Sequence, residues 1–273
     1  MPLAAGIDCG TSFTKAVILS QQNDSLRVVG KGRARSGVNV EDAANEALQQ
    51  ALDEAGTDRS HIEYIATTGF GRYGVSFRDI QVTEITTAAR GAHFTNPGIA
   101  TVLDIGGQCT RAIGMTDTGK VKHFKSNDKC AAGSGMFIQR AAKYLEIPLE
   151  RVGELSLRAT HPQPISSVCA VLAESEIINH VSAGVTVEDI LRGIHESLAD
   201  RAGSLLKRVE LKSDLTLIGG VAKQAGIVKA IEDRLKVNVY VPPDCDFVCA
   251  LGAGLLGLKR LAARNVALAV EAT

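Results

Sequence analysis

The sequence predicts an α/β protein, with strands and helices in both halves of the chain. Apolar strand-like runs are interspersed with segments whose apolar residues recur at helical spacing. A strand–Asp–Gly–strand motif occurs twice, around residues 5–19 and 99–113, which indicates an internal repeat. The 273 residues are 45% hydrophobic, enough for the core of one large domain or two lobes. We expect two lobes, residues 1–95 and 96–273.

Composition excludes several classes of function. The 30 basic and 30 acidic residues give a net charge of zero, and Trp is absent, so we expect no nucleic-acid partner. No apolar run is long enough to span a bilayer, and the first residues lack the features of a signal peptide. We therefore expect a cytoplasmic protein without a membrane partner. The six cysteines are then expected to be core residues, ligands or redox groups, not a disulfide framework.

The first hairpin has the residues of a phosphate-binding turn. Asp8 ends its first strand, and Gly10 lets the backbone approach a ligand closely. Thr11 and Ser12 offer hydroxyl and N–H groups to a phosphate, and Lys15 in the second strand is a further candidate. Asp8 is a candidate for Mg²⁺, held through water because Mg²⁺ gives up its waters reluctantly.

The next elements lead to a loop at the end of a strand. Glu84 begins a predicted helix there, and either points into a cleft or is a first-turn acid favoured by the helix dipole. The glycine at 56 closes the preceding amphipathic helix. The predicted elements are a strand at 26–35, a helix at 40–55, a strand at 62–67, the loop at 67–72 and a helix at 82–92.

The second hairpin repeats the order of the first. Asp104 ends a strand and is followed by Gly106 and Gly107. Two such hairpins can face each other across a cleft and share one Mg²⁺–triphosphate. The repeat therefore favours nucleotide binding over an accidental turn.

Two cysteines each precede a predicted helix. Cys130 stands before a run of small residues, and Cys169 follows Ser166 and Ser167, which are possible caps. A helix N-terminus favours negative charge, so these positions suit an anionic group bound by thiolates. The alternative is that both are buried small apolar residues, since a cluster needs four ligands.

The last third of the chain contains candidates for an adenosine pocket. Gly219 and Gly220 lie at a strand–helix junction, where bare backbone can pack against an adenine or ribose face. Gly252 lies in a small-residue helix that can pack on the same ligand. The six histidines show no metal spacing and are predicted at the surface or at caps. The predicted elements are helices at 169–181, 187–209, 223–235 and 250–257, strands at 215–218 and 237–241, and a mobile or partner-bound tail at 264–273.

Three of these motifs together resemble a known superfamily. The sequences Gly-Ile-Asp-Cys-Gly-Thr at 6–11, Asp-Ile-Gly-Gly-Gln at 104–108 and Ile-Gly-Gly-Val at 218–221 are similar to the phosphate, second-phosphate and adenosine motifs of acetate-sugar kinases, Hsp70 and actin. That resemblance implies two RNase H-like lobes with ATP and Mg²⁺ in a cleft between them. It implies Asp8 and Asp104 at the Mg²⁺, and either Gln108 or Asp104 orienting the attacking water.

Two further segments resemble the BadF/BadG/BcrA/BcrD ATPase family. They are Asn-Asp-Lys-Cys-Ala-Ala-Gly-Ser-Gly at 127–135 and Ser-Ser-Val-Cys-Ala-Val-Leu-Ala-Glu-Ser-Glu at 166–176. The family includes activators of 2-hydroxyacyl-CoA dehydratases and ATPase subunits of benzoyl-CoA reductase. The resemblance implies that Cys130 and Cys169 are two ligands of a [4Fe-4S] cluster shared with a second protomer, identical or paralogous. The segments at 86–92 and 169–174 look closer to the benzoyl-CoA reductase ATPases.

The implied function is ATP hydrolysis that drives electrons to a reductase or dehydratase partner. A ferredoxin-type protein is the implied electron donor. The chain departs from the family pattern at Cys109 and Arg111, where Asp and Lys are usual, and at Ala88, where many members have His. These departures indicate a divergent paralogue. A cluster-free sugar or acyl kinase and a nucleotide-sensing regulator are the alternative classes.

Overall fold

The computed structural model describes residues 2–22, 25–127, 134–166, 170–211 and 214–271. It contains two compact units, one of residues 1–95 with Phe247–Thr273 and one of Asn96–Asp246. No helix among the described residues has the length and apolarity to cross a membrane. The strands are β1 (Leu3–Cys9), β2 (Phe13–Gln22), β3 (Ser25–Arg35), β4 (Ile62–Thr68), β5 (Ile80–Gln81), β6 (Thr101–Ile105), β7 (Thr110–Met115), β8 (Val121–Asn127), β9 (Asp214–Ile218) and β10 (Asn238–Tyr240). The helices are α1 (Val40–Ala55), α2 (Glu84–Thr95), α3 (Gly135–Tyr144), α4 (Val152–Ser156), α5 (Ala170–Ser182), α6 (Val187–Leu206), α7 (Ala225–Leu235) and α8 (Val248–Glu271).

The two units contain sheets of the same topology. The first has the order β3-β2-β1-β4-β5 and the second β8-β7-β6-β9-β10. In each, three strands form an antiparallel meander, and two further strands run parallel to the first of them. The predicted internal repeat is therefore a repeat of structure, and the α/β fold with two RNase H-like halves is confirmed.

Helix α1 shows how local sequence signals define an element of the first unit. Asn39 caps it by accepting hydrogen bonds from the N–H groups of Glu41 and Asp42. Gly56 ends it with φ of 62°, the left-handed conformation that glycine adopts without penalty. The buried face of α1 packs on β3, where Gly32 admits the helix backbone: an added Cβ would lie 1.9 Å from the Ala47 carbonyl oxygen. The predicted helix at 40–55 is confirmed.

The C-terminal helix α8 belongs to the first unit, not to the second lobe as the prediction of 96–273 required. Its small residues are the physical reason, because they let its backbone lie directly on the sheet. A Cβ added at Gly6 would lie 2.0 Å from the Ala250 carbonyl oxygen and 2.3 Å from the Gly254 nitrogen. The predicted mobile or partner-bound tail at 264–273 is helical as far as Glu271, where α8 ends.

The second unit is built around α6. This helix begins at the cap Thr186, whose hydroxyl accepts a hydrogen bond from the Asp189 N–H. Its apolar stripe joins a core that also contains buried residues of α3, α5, α7 and the central strands. The predicted helix at 187–209 ends three residues earlier as an α-helix, since Lys207–Val209 form a 3₁₀ turn. This core holds the hairpin of β6 and β7 against the helices that follow it.

Candidate functional site

The first hairpin pairs an acidic and a basic side chain across its two strands. Asp8 on β1 lies opposite Lys15 on β2, and the Lys15 Nζ is 3.5 Å from the Asp8 Oδ2. Both side chains are largely buried. The half-buried Gly10, Thr11 and Ser12 form the turn between the strands. A carboxylate with a nearby cation, next to a half-buried turn that contains glycine, is a suitable arrangement for a phosphate with its metal ion.

A glycine from the neighbouring strand encloses Asp8. Gly69 follows β4, which runs parallel to β1, and has φ of 89°. A Cβ at this position would lie 2.6 Å from the Asp8 Oδ1 and 2.5 Å from the Cys9 carbonyl oxygen. Because no side chain fits there, the loop backbone can approach the carboxylate closely. The sequence predicted this loop but not its contact with Asp8.

Ser36 braces the turn of the first hairpin. Its hydroxyl donates to the Gly10 carbonyl oxygen at 2.7 Å, and lies 3.0 Å from the Thr14 hydroxyl. Its N–H donates to the Ser12 carbonyl oxygen at 3.1 Å. These hydrogen bonds therefore hold the turn in one conformation. Sequence reasoning missed Ser36, because it lies at the end of β3, far from the turn along the chain.

The second hairpin reproduces the geometry of the first. Asp104 on β6 lies opposite Arg111 on β7, and the Arg111 Nη1 is 3.2 Å from the Asp104 Oδ2. Gly219 follows the parallel strand β9 with φ of 92°, and its added Cβ would lie 2.7 Å from the Asp104 Oδ1. Arg111, one of the departures from the family pattern, thus provides the cation that Lys15 provides in the first unit. Cys109, a second departure, accepts the Gly106 N–H through its carbonyl oxygen at 2.9 Å.

Backbone hydrogen bonds join the second hairpin to the start of α3. The Gly135 N–H donates to the Gly106 carbonyl oxygen at 2.9 Å, and the Met136 N–H donates to that of Gly107 at 2.8 Å. An added Cβ at Gly135 would lie 2.9 Å from a methyl carbon of Val221, just after the Gly-Gly turn. The N-terminus of α3 is therefore in contact with two of the predicted nucleotide motifs.

The Gly-Gly turn is crowded at its first glycine and exposed at its second, Gly220. Gly219 donates its N–H to the Cys245 carbonyl oxygen at 2.9 Å, which fixes the turn. No described atom lies within 4 Å of a Cβ added at Gly220, so a flat ligand can approach it. Gly252, the third predicted adenosine residue, is buried in the first unit, and its added Cβ would lie 1.9 Å from the Thr87 carbonyl oxygen. Contact between α8 and α2 accounts for that glycine without a ligand.

Glu84 takes part in an ion pair beside the loop that follows β4. The Arg72 Nη1 is 3.2 Å from the Glu84 Oε2 and also donates to the Gly69 carbonyl oxygen at 3.0 Å. Glu84 thus stabilises the glycine loop that encloses Asp8, in addition to its first-turn position in α2. A direct role for Glu84 toward a ligand has no support in these contacts.

His195 is fully buried, which corrects the prediction that every histidine lies at the surface or at a cap. Its Nδ1 lies 2.7 Å from the Ser156 hydroxyl and its Nε2 lies 3.1 Å from the Gln224 Oε1. An amide oxygen only accepts, so Nε2 carries the proton and Ser156 donates to Nδ1. Burial lowers the pKa of His195 from 6.5 to about 4. The neutral ring therefore joins α4 and α6 to Gln224, the residue that directly precedes α7.

The predicted cluster ligands, Cys130 and Cys169, lie outside the described residues. Among the residues that the structure describes, no group of three or more His, Cys, Asp or Glu side chains is arranged to hold a metal ion. Burial raises the pKa of Cys9 to about 12 and that of Cys245 to about 11. Such thiols stay protonated at neutral pH, which agrees with the first of the roles expected for the cysteines, that of core residues.

Comparison with known proteins identifies close relatives. The family model described as "BadF/BadG/BcrA/BcrD ATPase family" matches residues 5–257. The chain is 42% identical over 252 residues to the activator of lactoyl-CoA dehydratase from Anaerotignum propionicum, covering 92% of this chain and 95% of the relative. It is 39% identical over 269 residues to a benzoyl-CoA reductase subunit from Thauera aromatica, covering 95% and 94%.

Solved structures agree with these relatives. The activator of the 2-hydroxyisocaproyl-CoA dehydratase from Clostridium difficile, with bound ADPNP, superimposes with a TM-score of 0.91 at 34% identity, covering 96% of this chain and 97% of that one. A glucokinase of the ROK family from Streptomyces griseus has a TM-score of 0.57 at 14% identity, covering 94% and 99%, and shows the shared fold alone.

Proposed function

This chain belongs to the BadF/BadG/BcrA/BcrD ATPase family, and from that premise we propose that it hydrolyses ATP to drive electrons into an enzyme acting on a CoA thioester. The relatives include both an activator of a dehydratase and a subunit of a reductase. Their identities of 42% and 39% do not separate the two kinds of partner. We propose the shared class, with benzoyl-CoA reductase and a 2-hydroxyacyl-CoA dehydratase as the two candidate partners.

The observation that carries the ATPase proposal is the repeated constellation of carboxylate, cation and glycine in the two hairpins. Each places a buried carboxylate beside one cation and one positive-φ glycine. This arrangement places the backbone N–H groups of Gly10, Thr11 and Ser12 near one acidic group, and that of Gly107 near the other. The Gly106 N–H already donates to the Cys109 carbonyl oxygen. Phosphoryl transfer requires mainly such positioning and charge stabilisation.

The residues have distinct roles in this proposal. Asp8 and Asp104 hold Mg²⁺ through water, because each carboxylate already has a cation beside it. Mg²⁺, when bound, neutralises charge that develops on the transferred phosphoryl group. Lys15 and Arg111 keep the carboxylates oriented. Gln108 is exposed at the tip of its hairpin, and we assign it to orient the attacking water, since Asp104 is confined by Arg111 and Gly219.

The electron-carrying group is proposed from the sequence. The resemblance to the family implies that Cys130 and Cys169 supply two of the four thiolates of a [4Fe-4S] cluster and that a second protomer supplies the other two. When bound, such a cluster supplies one-electron chemistry at low potential. Helix α3 supports a link between Cys130 and the proposed nucleotide site. It starts five residues after Cys130, and its first N–H groups donate to the carbonyl oxygens of Gly106 and Gly107. A ferredoxin-type protein is the proposed electron donor.

The Cys130→Ser variant tests this proposal. Protein purified without oxygen is analysed for iron, sulfide, iron–sulfur absorbance and affinity for ADPNP. We expect the variant to lose iron and sulfide while it binds the nucleotide as the parent does. Cys249→Ser, on α8 of the first unit, is the matched control. It is expected to keep the iron and sulfide of the parent and to bind the nucleotide as the parent does.

Two results would contradict the proposal. Iron and sulfide retained at the parental level in Cys130→Ser would remove this cysteine from the ligand set. A parent protein without iron or sulfide that phosphorylates a small molecule would instead indicate the kinase class.

A further inference from the structure

Helices α3 and α5 are joined by one carboxylate that uses both of its oxygens. On α3, the Arg140 Nη1 donates to the Glu174 Oε1 at 3.1 Å. One turn further along α3, the Tyr144 hydroxyl donates to the Glu174 Oε2 at 3.2 Å. The Glu174 side chain is only 16% exposed, whereas Arg140 is 50% exposed. Two contacts one helical turn apart restrain both the distance and the rotation of α5 relative to α3.

The other end of α3 is attached to the second hairpin. Gly135 and Met136 donate their N–H groups to the carbonyl oxygens of Gly106 and Gly107. Those two glycines form the turn to which the proposed function assigns phosphate binding. A change in the turn therefore acts directly on the first residues of α3.

Helix α3 is suited to pass such a change along its length. Phe137 and Ile138 are fully buried in the core of the second unit. We therefore expect the helix to move as one body with its first turn. Helix α5 buries Ala173 and Ile177 in the same core but leaves the large side chains of Ile178 and other residues exposed. Glu174, which makes the polar contact with α3, lies between the buried face and the exposed face of α5.

We propose that Glu174 is a positioning residue that makes α5 follow α3 when the turn at Gly106 and Gly107 binds nucleotide. This inference rests on the proposed nucleotide site. The carboxylate does not touch the nucleotide; it links two helices that begin close after Cys130 and Cys169 in the chain. Its effect is to give both helices one common response to the nucleotide.

Hydrogen–deuterium exchange tests this role, because it reports each helix separately. Protein purified without oxygen is measured with and without ADPNP, as parent and as Glu174→Gln. In the parent, ADPNP is expected to slow exchange at residues 104–108, in α3 and in α5. In Glu174→Gln, the response at 104–108 and in α3 is kept and the response in α5 is lost.

Two further variants separate this role from general stability. Glu154→Gln breaks the exposed pair with Arg158 at the end of α4, and is expected to keep all three responses. Tyr144→Phe removes one donor and keeps the ring, and is expected to reduce the α5 response partially. A double variant, Arg140→Glu with Glu174→Arg, exchanges the two charges of the pair. It is expected to restore part of the α5 response that Glu174→Gln loses.

The outcomes test the proposed nucleotide site and the positioning role of Glu174 separately. If ADPNP changes no exchange at 104–108 in the parent, the proposed nucleotide site is contradicted. If 104–108 and α3 respond while α5 responds equally in Glu174→Gln and in the parent, the positioning role is contradicted and the nucleotide site stands. An α5 that never responds in the parent also contradicts the positioning role.

Discussion

The two hairpins have the same acid–base geometry but different attachments. Asp8 with Lys15 and Asp104 with Arg111 occupy equivalent places in sheets of the same order. The first turn is braced by Ser36 from the adjacent strand of its own sheet. The second turn is bonded to the start of α3. The same arrangement of carboxylate, cation and glycine therefore belongs to a braced turn in the first unit and to a turn connected to α3 in the second.

The largest expected effect comes from the glycine that encloses Asp104. In Gly219→Ala, a φ of 92° becomes strained and the new Cβ meets the Ile105 carbonyl oxygen at 2.4 Å. Strain and overpacking together are expected to lower the free energy of unfolding by about 4 kcal/mol. Urea unfolding measures this loss, and ADPNP affinity is expected to fall with it.

A matched glycine separates strain from crowding. Gly98 has φ of 86° and no described atom within 4 Å of an added Cβ. Gly98→Ala therefore introduces backbone strain without steric overlap. It is expected to lower the free energy of unfolding by about 1–2 kcal/mol and to leave ADPNP affinity unchanged. Equal losses in Gly98→Ala and Gly219→Ala would show that close packing on Asp104 contributes nothing.

A second prediction concerns His195, for which the first unit has no described counterpart. Burial lowers the pKa of His195 from 6.5 to about 4, so the unfolded chain binds its proton first as the pH falls. The contribution of the neutral His195 side chain to the free energy of unfolding is fully present above pH 6.5 and is lost as the pH falls toward 4. The difference in pKa corresponds to about 3 kcal/mol.

The measurement is the pH dependence of urea unfolding between pH 7 and pH 4, in the parent and in His195→Gln. The parent is expected to lose about 3 kcal/mol more than the variant over this window. Other groups with lowered pKa values, such as Asp189, titrate in both proteins and cancel in the difference. His61→Gln, at an exposed histidine, is the control and should follow the parent. Parallel curves for the parent and His195→Gln would contradict the assigned neutral, buried state.

Local signals were enough to predict much of the fold and part of the site. The hairpin strands and the end of α1 at Gly56 follow from patterns within a few residues, and the structure confirms them. The two aspartates are predicted as site residues for the same reason, since each ends an apolar strand before glycine. The repeat of the motif then indicated two similar halves.

The remaining features depend on contacts between distant residues. Helix α8 joins the first unit because of its fit against Gly6, about 240 residues earlier, which no local pattern encodes. Glu174 meets Arg140 across 34 positions, and His195 meets Ser156 across 39. A histidine within an apolar helical stripe, as at 195, was the available signal for a buried network.

The most direct test of the central claim is the steady-state rate of ATP hydrolysis by Asp104→Asn and Arg111→Lys beside the parent. Asp104→Asn removes the charge and keeps the shape, and is expected to lower the rate about 10²-fold. Arg111→Lys recreates the pair seen between Lys15 and Asp8, and is expected to change the rate by less than about threefold. Urea midpoints check that both variants are folded. An Asp104→Asn variant that hydrolyses ATP at the parental rate would contradict the assignment of the second hairpin to catalysis.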